Sequence, residues 1–235
     1  MGKAALLVVC LAVAACGTTV MALGREGLVE YAGSQNNIIS TGRADRVMSF
    51  ESLAGRQGLY AVGAVDGLDG EITILDSKPY ISKVQGSDFV VDYTYNHEAM
   101  VLVWTEQTKW QDVPVPNTVK SYGDLLQFVR AKASTLGTDV TRPFPFLLSG
   151  QPAEIKWHIN VNRTEGKPIT QNLFVKSRAS YVTKKELVDI IGFYSAEAGP
   201  KNAIHIHFVS RVGQATGHID DLILGEDLVL RLPRP

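Results

Sequence analysis

Three of the chain's five histidines fall within fourteen residues: His205, His207 and His218 in AIHIHFVSRVGQATGHIDD. Imidazoles grouped this closely suit a divalent metal, and three protein ligands leave a coordination position for water or substrate. Their spacing says how they would be held. His205 and His207 are two apart, so on a strand both leave the same face. The intervening RVGQATG carries Gly213 and polar flanks, which suit a hairpin connection. A hairpin centred on Val212 and Gly213 sets His207 opposite His218, and all three imidazoles then converge on one face. The plainer alternative is surface or core histidines on an ordinary β-hairpin. Of the other two, His97 in YNHE reads as a turn residue and His158 in KWHIN as a strand residue.

The elements that must position these groups are mainly strands. Gly58–Val65 is apolar and bounded by turn residues. Asp69-Gly70 opens Glu71–Leu75, Lys78-Pro79 leads into Tyr80–Val84, and residues 89–95 and 99–104 continue the pattern. Further strands are expected at Phe144–Leu148, Glu154–Val161, Ala203–Val209 and His218–Leu224. The clearest helix runs from Ser121 to about Leu136, with Ser121 and Asp124 placed as a cap and Leu125, Leu126, Phe128 and Val129 as an apolar stripe. Thr183–Glu186 also looks like a capping box, but Leu187–Tyr194 is too short and apolar to assign between helix and strand. The expected fold is mixed α/β (α+β), with few helices and two closely packed sheet-rich halves, residues 36–140 and 141–235. The metal site lies on a β-hairpin of the second half.

The N-terminus, MGKAALLVVCLAVAACG, has an early Lys3, an apolar run and then small residues, the pattern of a secretory signal peptide over residues 1–15. Val13-Ala14-Ala15-Cys16 resembles a lipobox, which would make Cys16 a lipidated N-terminus and residues 16–35 a tether. Cleavage after Ala22 and an uncleaved anchor are the alternatives. Either of the cleaved forms is exported, as a periplasmic protein or a membrane-anchored lipoprotein of a bacterium. The only two cysteines, Cys10 and Cys16, lie in this segment, so the folded part has no disulfide and no thiolate ligand. Nitrogen and oxygen must therefore hold any metal. Lys and Arg total 23 against 24 Asp and Glu with no basic cluster, which disfavours nucleic-acid binding. Membrane contact is expected only through the lipid anchor.

Taken together, these motifs resemble the acetolactate decarboxylase family. HxH with a third histidine eleven positions later is that family's GYHLHF…GGHV pattern. Ile191–Glu197, IGFYSAE, is similar to its V-G-F-x-x-P-E, and Val62–Glu71 to its G-T-F-x-x-L-D-G-E. SYGDLLQFVR and PFPFLLSG resemble the helix and strand between them, so the likeness runs in order from about residue 35 to 233. The resemblance implies zinc ligands at His205, His207 and His218 and a catalytic carboxylate at Glu71. Residue by residue, the family's threonine before this glutamate becomes Ala64, and its arginine becomes His158, a second catalytic candidate. Its late glutamate has no counterpart before Pro235.

The activity implied is zinc-dependent conversion of 2-acetolactate, a small 2-hydroxy-3-keto acid, to acetoin, with the metal stabilising the enediolate left as carbon dioxide departs. A homodimer is implied as well. The altered positions leave two alternatives: a related metal-dependent lyase acting on another small keto or hydroxy acid, or a non-catalytic zinc-binding lipoprotein. Asp220, Asp221 and Glu226 are the nearby acids that would restore a missing carboxylate.

Overall fold

Short apolar and alternating runs divide the chain between two antiparallel sheets. The computed structural model describes residues 26–199, 203–211 and 214–234. The leader, Cys16 and the Val212-Gly213 tip of the histidine hairpin lie outside them. The first sheet holds β1 (Glu30–Ala32), β2 (Met48–Ser49), β3 (Leu59–Val65), β4 (Glu71–Leu75), β5 (Lys78–Gln85), β6 (Asp88–Asp92) and β7 (Glu98–Glu106). Its order is β1-β7-β3-β4-β5-β6, with β2 also on β7. The second holds β8 (Trp110–Pro114), β9 (Phe144–Gly150), β10 (Glu154–Asn160), β11 (Arg178–Lys184), β12 (Val188–Tyr194), β13 (Ile204–Ser210), β14 (Thr216–Ile223) and β15 (Val229–Pro233). Its order is β11-β10-β14-β13-β12-β9-β15-β8. Helices α1 (Gln35–Thr41), α2 (Tyr122–Thr135) and α3 (Gln171–Lys176) complete the described elements of regular helix.

The unbroken apolar run of β3 follows from its central position, where every side chain is covered. Leu59, Ala61 and Val65 pack with Phe50, Leu53, Ile72 and Leu102 on the outer face. Tyr60 and Val62 point the other way and meet Leu147, Ile191 and Phe193 of the second sheet. That contact defines the inner faces of both sheets. The opposite face of the second sheet, with Phe146, Leu148, Ile190, Ile206 and Phe208, packs on Leu125, Leu126, Val129 and Ala133 of α2. A capping box starts α2: Asp124 N–H donates to Ser121 Oγ at 3.2 Å, and Ser121 N–H donates to Asp124 Oδ2 at 3.0 Å.

Two sheet-rich halves with few helices are found, but the dividing line differs from the expected one. The strand β8 and α2 belong to the second sheet and its core, so the line falls between Glu106 and Trp110 rather than near residue 140. The apolar stripe of α2 needs a partner, and it is the second sheet that covers it. The stretch expected as a tether ends in structure: β1 pairs with Trp104, Val103 and Leu102 of β7. Most of the Leu187–Tyr194 stretch resolves as a strand, β12 (Val188–Tyr194), between β9 and β13. Thr183 caps no helix; its Oγ1 accepts the indole N–H of Trp157 at 3.0 Å.

The glycine of IGFYSAE is a packing position. A Cβ on Gly192 would sit 2.3 Å from Phe146 Cζ and 2.7 Å from Ile206 Cγ2, in the layer behind the histidine strand. Gly192→Ala is expected to cost about 1–3 kcal/mol through overpacking, read as a lower urea midpoint with an unchanged slope.

Candidate metal centre

Strand pairing brings the three histidines together as the spacing predicts. His205 and His207 leave the inner face of β13, and His218 of β14 lies directly across from His207. His158 of β10 in turn lies across from His218, so His158, His218 and His207 form one row over three adjacent strands. His205 Nε2 is 3.1 Å from His218 Nδ1 and 3.3 Å from His207 Nε2. One ring nitrogen from each of the three lies within 4.8 Å of the other two, close enough to hold a single metal ion.

The first sheet supplies the opposing side. Glu71, at the start of β4, is only 2% exposed and reaches across to this row. Its Oε2 is 3.7 Å from His207 Nε2 and its Oε1 3.8 Å from His158 Nε2. Asn160 N–H donates to Glu71 Oε1 at 3.2 Å, fixing the carboxyl to the end of β10. Two residues on, Thr73 Oγ1 lies 3.1 Å from His207 Nδ1 and accepts from Thr216 Oγ1 at 2.9 Å. This contact orients the His207 ring and leaves Nε2 for the cluster. Ala64 is the cross-strand neighbour of Glu71, so the family's threonine position is next to the carboxyl.

Burial governs the charges. It pushes the pKa of His205 down to about 4 and those of His207 and His218 well below the usual histidine value. All three are therefore neutral near pH 7, the form that coordinates a metal. Burial also raises the Glu71 carboxyl well above the usual range, against the opposing effect of the Asn160 N–H. Three neutral imidazoles, with a carboxyl beside them and no thiolate, fit a divalent cation such as zinc.

His158 is 2% exposed, and its Nδ1 lies 2.9 Å from both oxygens of Asp220. Burial lowers its pKa despite that carboxylate, which disfavours a cationic role. Asp220, two residues beyond His218 and on its face, is the extra residue of a bulge: Lys156 pairs with Asp221 and Trp157 with Ile219. Of the other acids considered, Asp221 pairs with Lys156 Nζ at 3.2 Å. His97 stays in its turn, 2.9 Å from Asp92.

Sequence reasoning missed Arg178, on β11 opposite Asn160 and so on the face that carries His158. It also missed Thr73, Asn160 and Tyr122, whose hydroxyl donates to Ile204 O at 2.9 Å. Glu71, His158, Asn160, Arg178, His205 and His218 all line one cavity of about 760 Å³ between the sheets.

This two-sheet architecture is shared with known proteins. The sequence model of the alpha-acetolactate decarboxylase family matches residues 31–232. The chain belongs to that family. Among solved structures, it is similar to the alpha-acetolactate decarboxylase of Bacillus subtilis strain 168, with a TM-score of 0.69 at 15% identity over 88% of this chain and 86% of the other. The acetolactate decarboxylase of Bacillus subtilis subspecies spizizenii gives 0.68 at 16% identity, covering 88% and 86%. A Staphylococcus aureus protein of unknown function similar to alpha-acetolactate decarboxylase also gives 0.68, at 15% identity over 86% and 84%. No curated protein matches this sequence.

A metal bound only by the folded chain stabilises it by mass action, about 2.7 kcal/mol at a hundred times its dissociation constant. Zinc is expected to raise the thermal midpoint of the protein and to leave that of His207→Ala unmoved.

A second outcome follows from the neutral imidazoles. Their pKa values are lower folded than unfolded, so protons favour the unfolded chain. The imidazoles' contribution to the stability of the metal-free protein is full above about pH 6.5 and falls with acidification until His205 protonates in the fold near 4, while the raised Glu71 carboxyl acts in the opposite sense. A series of thermal melts from pH 7.5 to about 4.5 should show this decline, shallower in His205→Gln.

Proposed function

We propose that the protein is a carbon–carbon lyase that decarboxylates 2-acetolactate to acetoin, with zinc held by His205, His207 and His218. The observation that carries this reading is the meeting of the three imidazoles with Glu71 across one cavity, in a chain of the alpha-acetolactate decarboxylase family. A bound divalent metal supplies Lewis acidity, drawing electron density from the oxygens of the substrate.

The chain's own residues do the rest. The bond between the carboxyl carbon and C2 breaks, carbon dioxide leaves, and the electron pair passes toward the adjacent ketone. C2 must then receive a proton to give acetoin. Glu71 is placed to deliver it. Its Oε1 accepts the Asn160 N–H, and burial shifts the carboxyl toward its protonated form, which leaves Oε2 to carry the transferable proton. Asn160 and Thr73 act by orientation, holding Glu71 and His207 respectively.

The test is acetoin formation from racemic 2-acetolactate by zinc-loaded protein. Turnover is expected in the parent and absent in His207→Ala. In Glu71→Gln, kcat should fall by about 10²–10⁴ with zinc content unchanged. A zinc-saturated parent that forms no acetoin overturns the reading.

A further inference from the structure

We infer that Arg178 is the anchor for the substrate's carboxylate, a part that no residue at position 158 plays in this chain. The ring of His158 is 2% exposed and its Nδ1 is already engaged by both oxygens of Asp220, which leaves it little to offer a carboxylate. Among the described residues lining the cavity, Arg178 is the only lysine or arginine. Its guanidinium is held by two weak contacts. Nη1 donates to Asp220 Oδ1 at a long 3.4 Å, and the group lies 5.9 Å from the centre of the Phe174 ring. Its Nε is buried and has no hydrogen-bond partner. A donor left so in the protein interior normally awaits a partner. A carboxylate in the cavity can accept from the terminal nitrogen that Asp220 leaves free, and a turn of the loosely held guanidinium brings Nε beside it, the two-point geometry that arginine provides and lysine does not.

The same arrangement gives Asp220 a positioning role. Placed between His158 and Arg178, it steers the guanidinium while leaving the Nε edge free. The neighbouring cations are disposed differently. Arg163 and Lys176 border a separate shallow depression that shares only Arg178 and Asp220 with the cavity, and Arg163 Nη1 donates to Lys176 O at 3.3 Å.

This inference rests on reading the cavity as a hydroxy-acid site, so its test reads binding and not turnover. Zinc-loaded protein is titrated calorimetrically with 2-hydroxy-2-methylpropanoate and with its uncharged amide. The parent is expected to prefer the acid. Arg178→Gln should weaken the acid by about tenfold or more while leaving the amide and the zinc content unchanged. Arg178→Lys should fall between, and Lys176→Gln should match the parent. Arg178→Gln binding the acid as tightly as the parent overturns the assignment. So does equal loss of acid and amide, or a parent that does not favour the acid. Failure to form acetoin from acetolactate is a separate result and leaves these binding outcomes readable.

Discussion

Cross-strand register between β10, β14 and β13 is the constraint on which the site depends. His158, His218 and His207 stand in one row only because each faces its neighbour across a strand pair. A slip by one residue would turn that strand's histidine toward α2 and put a core residue into the cavity. Local sequence protects the register. Gly217, beside His218, has no room for a Cβ, which would sit 2.7 Å from both the His158 carbonyl oxygen and the Trp157 ring. Trp157 is itself pinned by Thr183 and packed against Phe208 and Tyr181. Asp220, two residues beyond His218, leaves the same inner face, and the bulge there returns Leu222 to the core on the other face.

Placing this cluster between two sheets makes its members depend on one another. A carboxyl and several imidazoles removed from water remain neutral unless something charged or polar holds them. Here the holding groups cross the interface: the Asn160 N–H reaches Glu71, and Thr73 reaches His207. Neither sheet holds the whole cluster alone. The apolar contact of Tyr60 and Val62 with Leu147, Ile191 and Phe193 is therefore part of the chemistry as well as of the core, because it sets the gap across which Glu71 approaches.

The histidine hairpin was legible because strand periodicity and hairpin symmetry fix which residues face each other. The central strands were legible for a related reason: burial on both sides demands runs such as LYAVGAV. What escaped lies at sheet margins. The strands β8 and β11 are the two edges of the second sheet, and edges carry charged and polar residues, with Pro114 ending one of them. Arg178 was hidden by that rule. In RASYVTK it resembles any solvated edge residue, and only the pairing of β11 with β10 shows that it faces His158. Glu71 was similarly unremarkable as a strand-opening residue until the resemblance singled it out. The boundary near residue 140 was misplaced because α2 has no sequence mark saying which sheet its stripe will cover.

The position of the dividing line has a consequence for biogenesis. Every strand of the first sheet, including the one bearing Glu71, is synthesised before residue 107, whereas His205, His207 and His218 come almost a hundred residues later or more. The second sheet cannot close early either, because β15, near the C-terminus, is the strand that joins β8 to β9. A chain emerging N-terminus first thus holds the carboxyl side of the cavity for a long interval without the imidazole side. A metal held by the three imidazoles would be captured only in the last stage of maturation, when the final strand has joined its sheet.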